Sequence, residues 1–158
     1  MDEKQAIIKL IMPKAVLKAL TPEAYRAIPT NLQVSDMACI KKYPFCIGRE
    51  SRVTLVDGKL EMERRTLSDC TPNNDLYLID FGEFLNISRE HLMIDQRDNG
   101  YIVIDRGSDS GTFIGEKRVG GGDSGGTSEL KDGDIIAIGA HSTPYRYKFI
   151  SLMAISYE

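Results

Sequence analysis

The chain has no excess of positive charge. Its 20 Lys and Arg stand against 23 Asp and Glu, a formal net charge of −3. A general nucleic-acid binder draws its affinity from neutralising phosphates, so this balance argues against nucleic acid as a partner while leaving room for a local basic site. Cysteine is scarce. Cys39, Cys46 and Cys70 are an odd number, and their spacing fits no metal site. They read as reduced thiols of a cytoplasmic protein. Histidine is scarcer, with two residues. No cluster of ligating side chains suggests a metal or any other cofactor. No apolar run approaches the roughly 18 residues of a membrane span. Met1-Asp2-Glu3-Lys4-Gln5 lacks the basic start and long apolar core of a signal peptide. The expectation is a cytoplasmic protein with no membrane partner.

What is present is alternation punctuated by turns. Hydrophobic residues make up 42% of the 158 and charged residues 27%, ordinary values for one soluble domain covering 1–158. The most organised stretch is Ser88 to Thr112. Two alternating runs, Leu92–Asp95 and Tyr101–Asp105, flank Asp98-Asn99-Gly100. Asn-Gly between such runs marks a hairpin, because both central residues of a type I′ turn need positive φ. A tight hairpin returns its strands antiparallel, so the polar clusters at its two ends, Ser88-Arg89-Glu90-His91 and Gly107 to Thr112, must lie side by side. Hydroxyls, an arginine and glycine-freed amides converge there, which suits an anion better than a covalent reaction.

Elsewhere, Ala6–Met12 is a short apolar run ended by Pro13 and reads as a strand. From Pro13 to Ile28, Ala15, Val16, Ala19, Leu20 and Ala24 recur at helical spacing. Thr21-Pro22-Glu23 supplies an N-cap and an N1 proline in the middle, giving either a broken helical hairpin or one kinked helix over 13–30. Pro29–Asp36 reads as a loop, and Met37–Ile47 as a strand interrupted near Tyr43-Pro44. Arg52–Val56 and Lys59–Glu63 flank Asp57-Gly58, a second hairpin within a 50–74 insertion, followed by a polar connection from Arg64 to Asn74. Leu76–Asp80 is a strand. Thr112–Val119 suggests a hairpin about Gly115-Glu116. Gly120–Ser128 reads as a mobile glycine-rich loop, Ile135–Ile138 as a strand after the Lys131–Asp134 turn, and Tyr145–Ile155 as a final strand. Many short strands, with helix confined to an N-terminal insert, give an all-β sandwich of two antiparallel sheets.

Gly48-Arg49, Ser88-Arg89-Glu90-His91, Asp105 with Ser108 to Thr112, and Leu130 to Gly139 fall in one order. Together they resemble a forkhead-associated (FHA) domain over roughly Cys39 to Ile150, with the core about 37–150. The resemblance implies an eleven-stranded sandwich with binding loops at one end, and a partner protein or peptide containing phosphothreonine. It implies that Arg49 and Ser88 grip the phosphate, and that Arg89 adds a contact. It also implies that Gly48, His91, Gly111 and Thr112 support the loops. The chemistry of the residues agrees. Arg49 offers a planar, permanently charged fork of donors, and Ser88 offers a hydroxyl.

Two positions depart from the family. An Asn that bonds the peptide main chain usually precedes Gly-Thr. Here that position is Ser110, which has a shorter reach, and Asp109 before it brings a carboxylate beside an anion site. Both belong to the candidate peptide-binding set. They favour, as an alternative, a scaffold of the same fold making phosphorylation-independent contacts. The insertion at 50–74 leaves directly from Arg49 and is expected beside the binding face. An enzyme is not expected. Gly122-Asp123-Ser124-Gly125-Gly126 spells the nucleophile string of chymotrypsin-like proteases, but the chain is too short for their double barrel, and neither His91 nor His141 has the matching context.

Overall fold

The computed structural model describes residues 2–50, 53–62, 74–81 and 85–152. Its elements in chain order are α1 (Glu3–Ile11), β1 (Ala15–Ala19), α2 (Pro22–Ala27), β2 (Gln33–Val34), β3 (Met37–Ile40), β4 (Phe45–Arg49), β5 (Val53–Val56) and β6 (Lys59–Met62). There follow β7 (Leu76–Leu78), β8 (Leu92–Arg97), β9 (Gly100–Asp105), β10 (Thr112–Ile114), β11 (Lys117–Val119), β12 (Gly126–Leu130), β13 (Ile135–Ile138) and β14 (Arg146–Ser151). Twelve strands form two sheets, one ordered β11-β10-β13-β14-β1-β3-β2 and the other β12-β9-β8-β4-β7. The hairpin β5–β6 is a sheet of its own. Ile47, Leu78, Leu92, Ile94 and Val103 of the five-stranded sheet share one buried core with Leu17, Ile136, Ile138, Tyr147 and Phe149 of the seven-stranded sheet. This is a β-sandwich, as the alternation predicts. One pairing is parallel, β4 with β7, because the chain leaves β4 through the 50–74 insertion and returns in the same direction.

The central hairpin forms, with its turn one residue earlier than Asn-Gly suggests. Arg97 pairs with Gly100, so Asp98 and Asn99 make the turn, with Asp98 at φ 52°. Core pairing sets this register. Ile94 sits opposite Val103 with both buried, and a slip of one residue would turn the whole set to the other face. The hairpin at Asp57 (φ 52°) and Gly58 (φ 77°) forms as expected, as does that at Gly115.

Five local expectations are corrected. Ala6–Met12 is not a strand but most of α1. Asp2 caps that helix by accepting from Gln5 N at 2.8 Å, Glu3 and Lys9 suit its dipole, and none of its residues is buried. The 13–30 segment is helical only at α2, where Thr21 accepts from Ala24 N at 3.0 Å. Ala15–Ala19 is strand β1, paired with β14 on one side and β3 on the other, and only Lys18 of the five is exposed. Cross-strand pairing and burial on the core override the helix preference of its two alanines. Pro29–Asp36 contains the short β2. Met37–Ile47 is two strands in different sheets, β3 and β4, with the cis Tyr43-Pro44 peptide between them. The glycine-rich segment is no free loop. Gly126–Ser128 belongs to β12, and Gly122 N and Asp123 N donate to the carbonyls of Asp109 and Ser108 at 2.8 and 3.1 Å. The polar connection from Arg64 lies almost wholly outside the described residues. Among those described, no helix is long and apolar enough to cross a membrane. Cys39 and Cys46 are free thiols.

Candidate functional site

β4 delivers Arg49 to one end of the five-stranded sheet. Gly48 before it is buried against the Ser88–Arg89 loop. A Cβ there would fall 2.0 Å from the Arg89 carbonyl oxygen, so only glycine lets the loop lie this close. Arg49 N donates to Ser88 O at 3.0 Å, and the half-buried guanidinium donates through Nη1 to Ile87 O at 3.3 Å. The arginine and the serine loop are thus tied through main chain and side chain.

His91 holds the same loop from beneath. It is fully buried, and Ser88 N donates to its Nδ1 at 2.9 Å. A nitrogen that accepts carries no proton, so Nε2 bears it and donates to Gly111 O at 2.7 Å. Burial lowers the pKa of the ring, which keeps it neutral. Both ring nitrogens are engaged by backbone, so His91 has no nitrogen left to act as a base toward the Ser88 hydroxyl.

The second loop is organised by a buried carboxylate. Asp105 accepts from Gly107 N, Ser108 N, Ser108 Oγ and Thr112 Oγ1 at 3.1, 2.8, 2.6 and 2.9 Å. Ser108 Oγ in turn accepts from Gly111 N at 3.0 Å. The loop so braced presents Asp109, whose amide donates to Ser88 Oγ at 3.0 Å. The hydroxyl accepts there and keeps its own proton to donate elsewhere. Arg49, Ser88 and Asp109 therefore meet. Asp109 is exposed and Ser110 half-buried beside it. Arg89 is exposed, its carbonyl held by Asn74 Nδ2 at 2.7 Å. Among the described residues no histidine meets the serine of the protease-like string: Ser124 Oγ donates to Gly121 O at 2.7 Å, and His141 pairs with Glu116 at 3.1 Å.

The FHA domain family model matches residues 45–139, more than half of the chain. The chain belongs to the FHA domain family. Twelve chains of solved structures are also similar. One, Mycobacterium tuberculosis EmbR in complex with a low affinity phosphopeptide, shares 16% identity at a TM-score of 0.51. The match covers 97% of this chain and 30% of the EmbR chain, a likeness of fold in which this chain spans under a third of the other's length. No curated protein matches.

Several side chains that shape this FHA site escape a reading of motifs. Asp80 is buried, accepting from Asn86 N and Ile87 N at 2.7 and 3.1 Å and from the Tyr145 hydroxyl at 2.8 Å, so it sets the approach to Ser88. Arg106 donates to Asn74 Oδ1 at 2.8 Å and pairs with Glu90 at 3.5 Å, bracing the back of the Arg89 turn. The available signal was Asp80 at the end of an apolar strand, since a carboxylate carried into a core must find donors.

Proposed function

We propose that the chain binds phosphothreonine in an extended segment of a partner protein, and so couples that partner to Ser/Thr-kinase signalling. The observation that carries the reading is the hydrogen-bonded meeting of Arg49, Ser88 and Asp109 at one end of the sandwich. Arg49 supplies fixed charge to the phosphate, and Ser88 supplies the hydroxyl donor that its bond from Asp109 N leaves available. Arg89 is the exposed cation next to the phosphate, with Ser110 beside the peptide main chain. Gly48, His91, Gly111 and Thr112 keep the loops in place and touch no ligand. The phosphopeptide in the EmbR complex is consistent with this use of the fold. The role is one of interaction rather than catalysis.

The test is titration of matched peptides carrying phosphothreonine, phosphoserine or threonine against wild type and Arg49→Ala. Wild type is expected to bind the phosphothreonine peptide, and Arg49→Ala to lose at least about tenfold in affinity. Equal binding by both proteins, or none by wild type, rejects the reading. The scaffold alternative is favoured by Asp109, whose exposed carboxylate stands beside the anion site, and by the short Ser110. A partner list unchanged by phosphatase treatment supports it.

A further inference from the structure

α1 is a helix without support. It has nine residues, none of them buried. Ile7, Ile8, Leu10 and Ile11 are 50, 46, 85 and 65% exposed. An isolated helix shorter than roughly 12–15 residues is marginal in water, so the order of α1 calls for packing that its own chain does not supply. Ile7, Leu10 and Ile11 follow Glu3 at helical spacing, so one face carries a carboxylate at its start and aliphatic side chains after it.

The outer face of the seven-stranded sheet is its complement. One register row crosses five strands: Ile135 on β13, Lys148 on β14, Lys18 on β1, Met37 on β3 and Val34 on β2. Their chain neighbours Ile136, Phe149, Leu17 and Ala38 point into the core, so the row faces outward. Ile135 and Val34 are exposed, as are both lysines. In the next row Cys39, Val16 and Ile150 extend the apolar ground. Lys18 and Lys148 lie directly opposite each other, a placement of like charges that disfavours the sheet standing alone. Among the described residues neither lysine has a carboxylate partner, and Glu3 has no cation. The chain's own α1 does not cover the row, since no residue of α1 is buried.

We infer that this face takes α1 of a second copy of the chain, each copy laying its helix on the sheet of the other about a two-fold axis. The lengths agree. From the lysine pair to Val34 is on the order of 12 Å at the spacing of strands, and Glu3 to Ile11 spans about 12 Å of helix. Glu3 then meets Lys18 and Lys148, while Ile7, Leu10 and Ile11 cover Met37 and Val34. The aliphatic side chains of one helix bury on the order of 300 Å². With an equal share of sheet and the reciprocal contact, the total approaches about 1,200 Å², the lower limit of a stable interface, and so points to a dimer of micromolar strength. Arg49, Ser88 and Asp109 take no part in this surface, so the inference is independent of the phosphothreonine reading.

The experiment is analytical ultracentrifugation of the full chain over a range of concentrations. Wild type is expected to pass from monomer to dimer with a Kd on the order of 10 μM. Leu10→Asp on the helix and Val34→Asp on the sheet each replace an exposed side chain, so the fold should stand. Each is expected to weaken the dimer at least about tenfold. A wild type that stays monomeric throughout overturns the inference, and its sedimentation with phosphatidylcholine vesicles would assign α1 to a lipid surface instead. A dimer lost in Leu10→Asp but kept in Val34→Asp is helix against helix and overturns the assignment to the sheet. One kept in Leu10→Asp removes α1 from the interface and overturns it as well.

Discussion

The amide of Asp109 donates to the hydroxyl oxygen of Ser88 across 3.0 Å, joining two loops that are 21 residues apart in sequence. Ser88→Ala removes the proposed phosphate donor and leaves that amide without its partner. Phosphopeptide affinity is expected to fall at least about tenfold, while stability changes by only about 1 kcal/mol because the amide is exposed to water. Calorimetric titration and urea unfolding measure the two. A variant that binds like wild type removes Ser88 from the site.

Gly48→Ala tests the closeness of the first loop to β4. Its methyl group would meet the Arg89 carbonyl at 2.0 Å and the Asn74 side chain at 2.5 Å. The backbone oxygen cannot swing aside as a side-chain tip can. A loss of about 1–3 kcal/mol in urea unfolding is expected, with weaker peptide binding because Arg49 is displaced. Unchanged stability would mean the loop yields without cost.

Asp105→Ala removes the acceptor of two amides and two hydroxyls in a site only 3% exposed. The expected loss is at least about 3 kcal/mol, since the donors stay buried and lose a charged partner. Amide exchange should rise most at Gly107, Ser108 and Gly111. A uniform rise across the sandwich would count against a local role.

His91 makes stability depend on pH in a stated direction. The unfolded ring titrates at its ordinary 6.5, and burial sets the folded value lower. Between the two values the unfolded state binds more protons. The contribution of His91 is therefore complete above pH 6.5 and declines as pH falls through the folded value. Protonation also takes Nδ1 away from Ser88 N. Wild type should lose more of its urea midpoint between pH 7 and pH 5 than His91→Asn does. Parallel loss in both proteins assigns the effect to other groups.

Much of the sandwich was legible because its hairpins carry their own turn chemistry. Asp57-Gly58 and Gly115 announce turns wherever the strands end up. Arg49, Ser88 and His91 were singled out by their order within the FHA resemblance, and the structure brings them together, Arg49 N donating to Ser88 O and Ser88 N to His91 Nδ1. The N-terminal segment was not legible. Ala-Val-Leu-Lys-Ala is too short to show a period, and its strand state comes from β3 and β14, which no local pattern reveals. Asp98-Asn99 displaced Asn99-Gly100 as the turn for the same reason, the pairing of Ile94 with Val103 being decided by the core. The order in Gly120–Ser128 comes from bonds to Ser108 and Asp109, partners that composition cannot name.

β1 has a kinetic meaning as well. It pairs with β14 from Ala15 opposite Ser151 to Ala19 opposite Tyr147, and β14 alone links the β1-β3-β2 side of its sheet to the β13-β10-β11 side. During synthesis, the three strands made first have no neighbour to complete their sheet until residues near 150 leave the ribosome. Contacts so distant in sequence place the chain among the slower folders, in the millisecond-to-second range of β-sandwiches. Until β14 arrives, β1 has an open edge, so in the nascent chain the interval before residue 151 emerges is when chaperone binding protects it most.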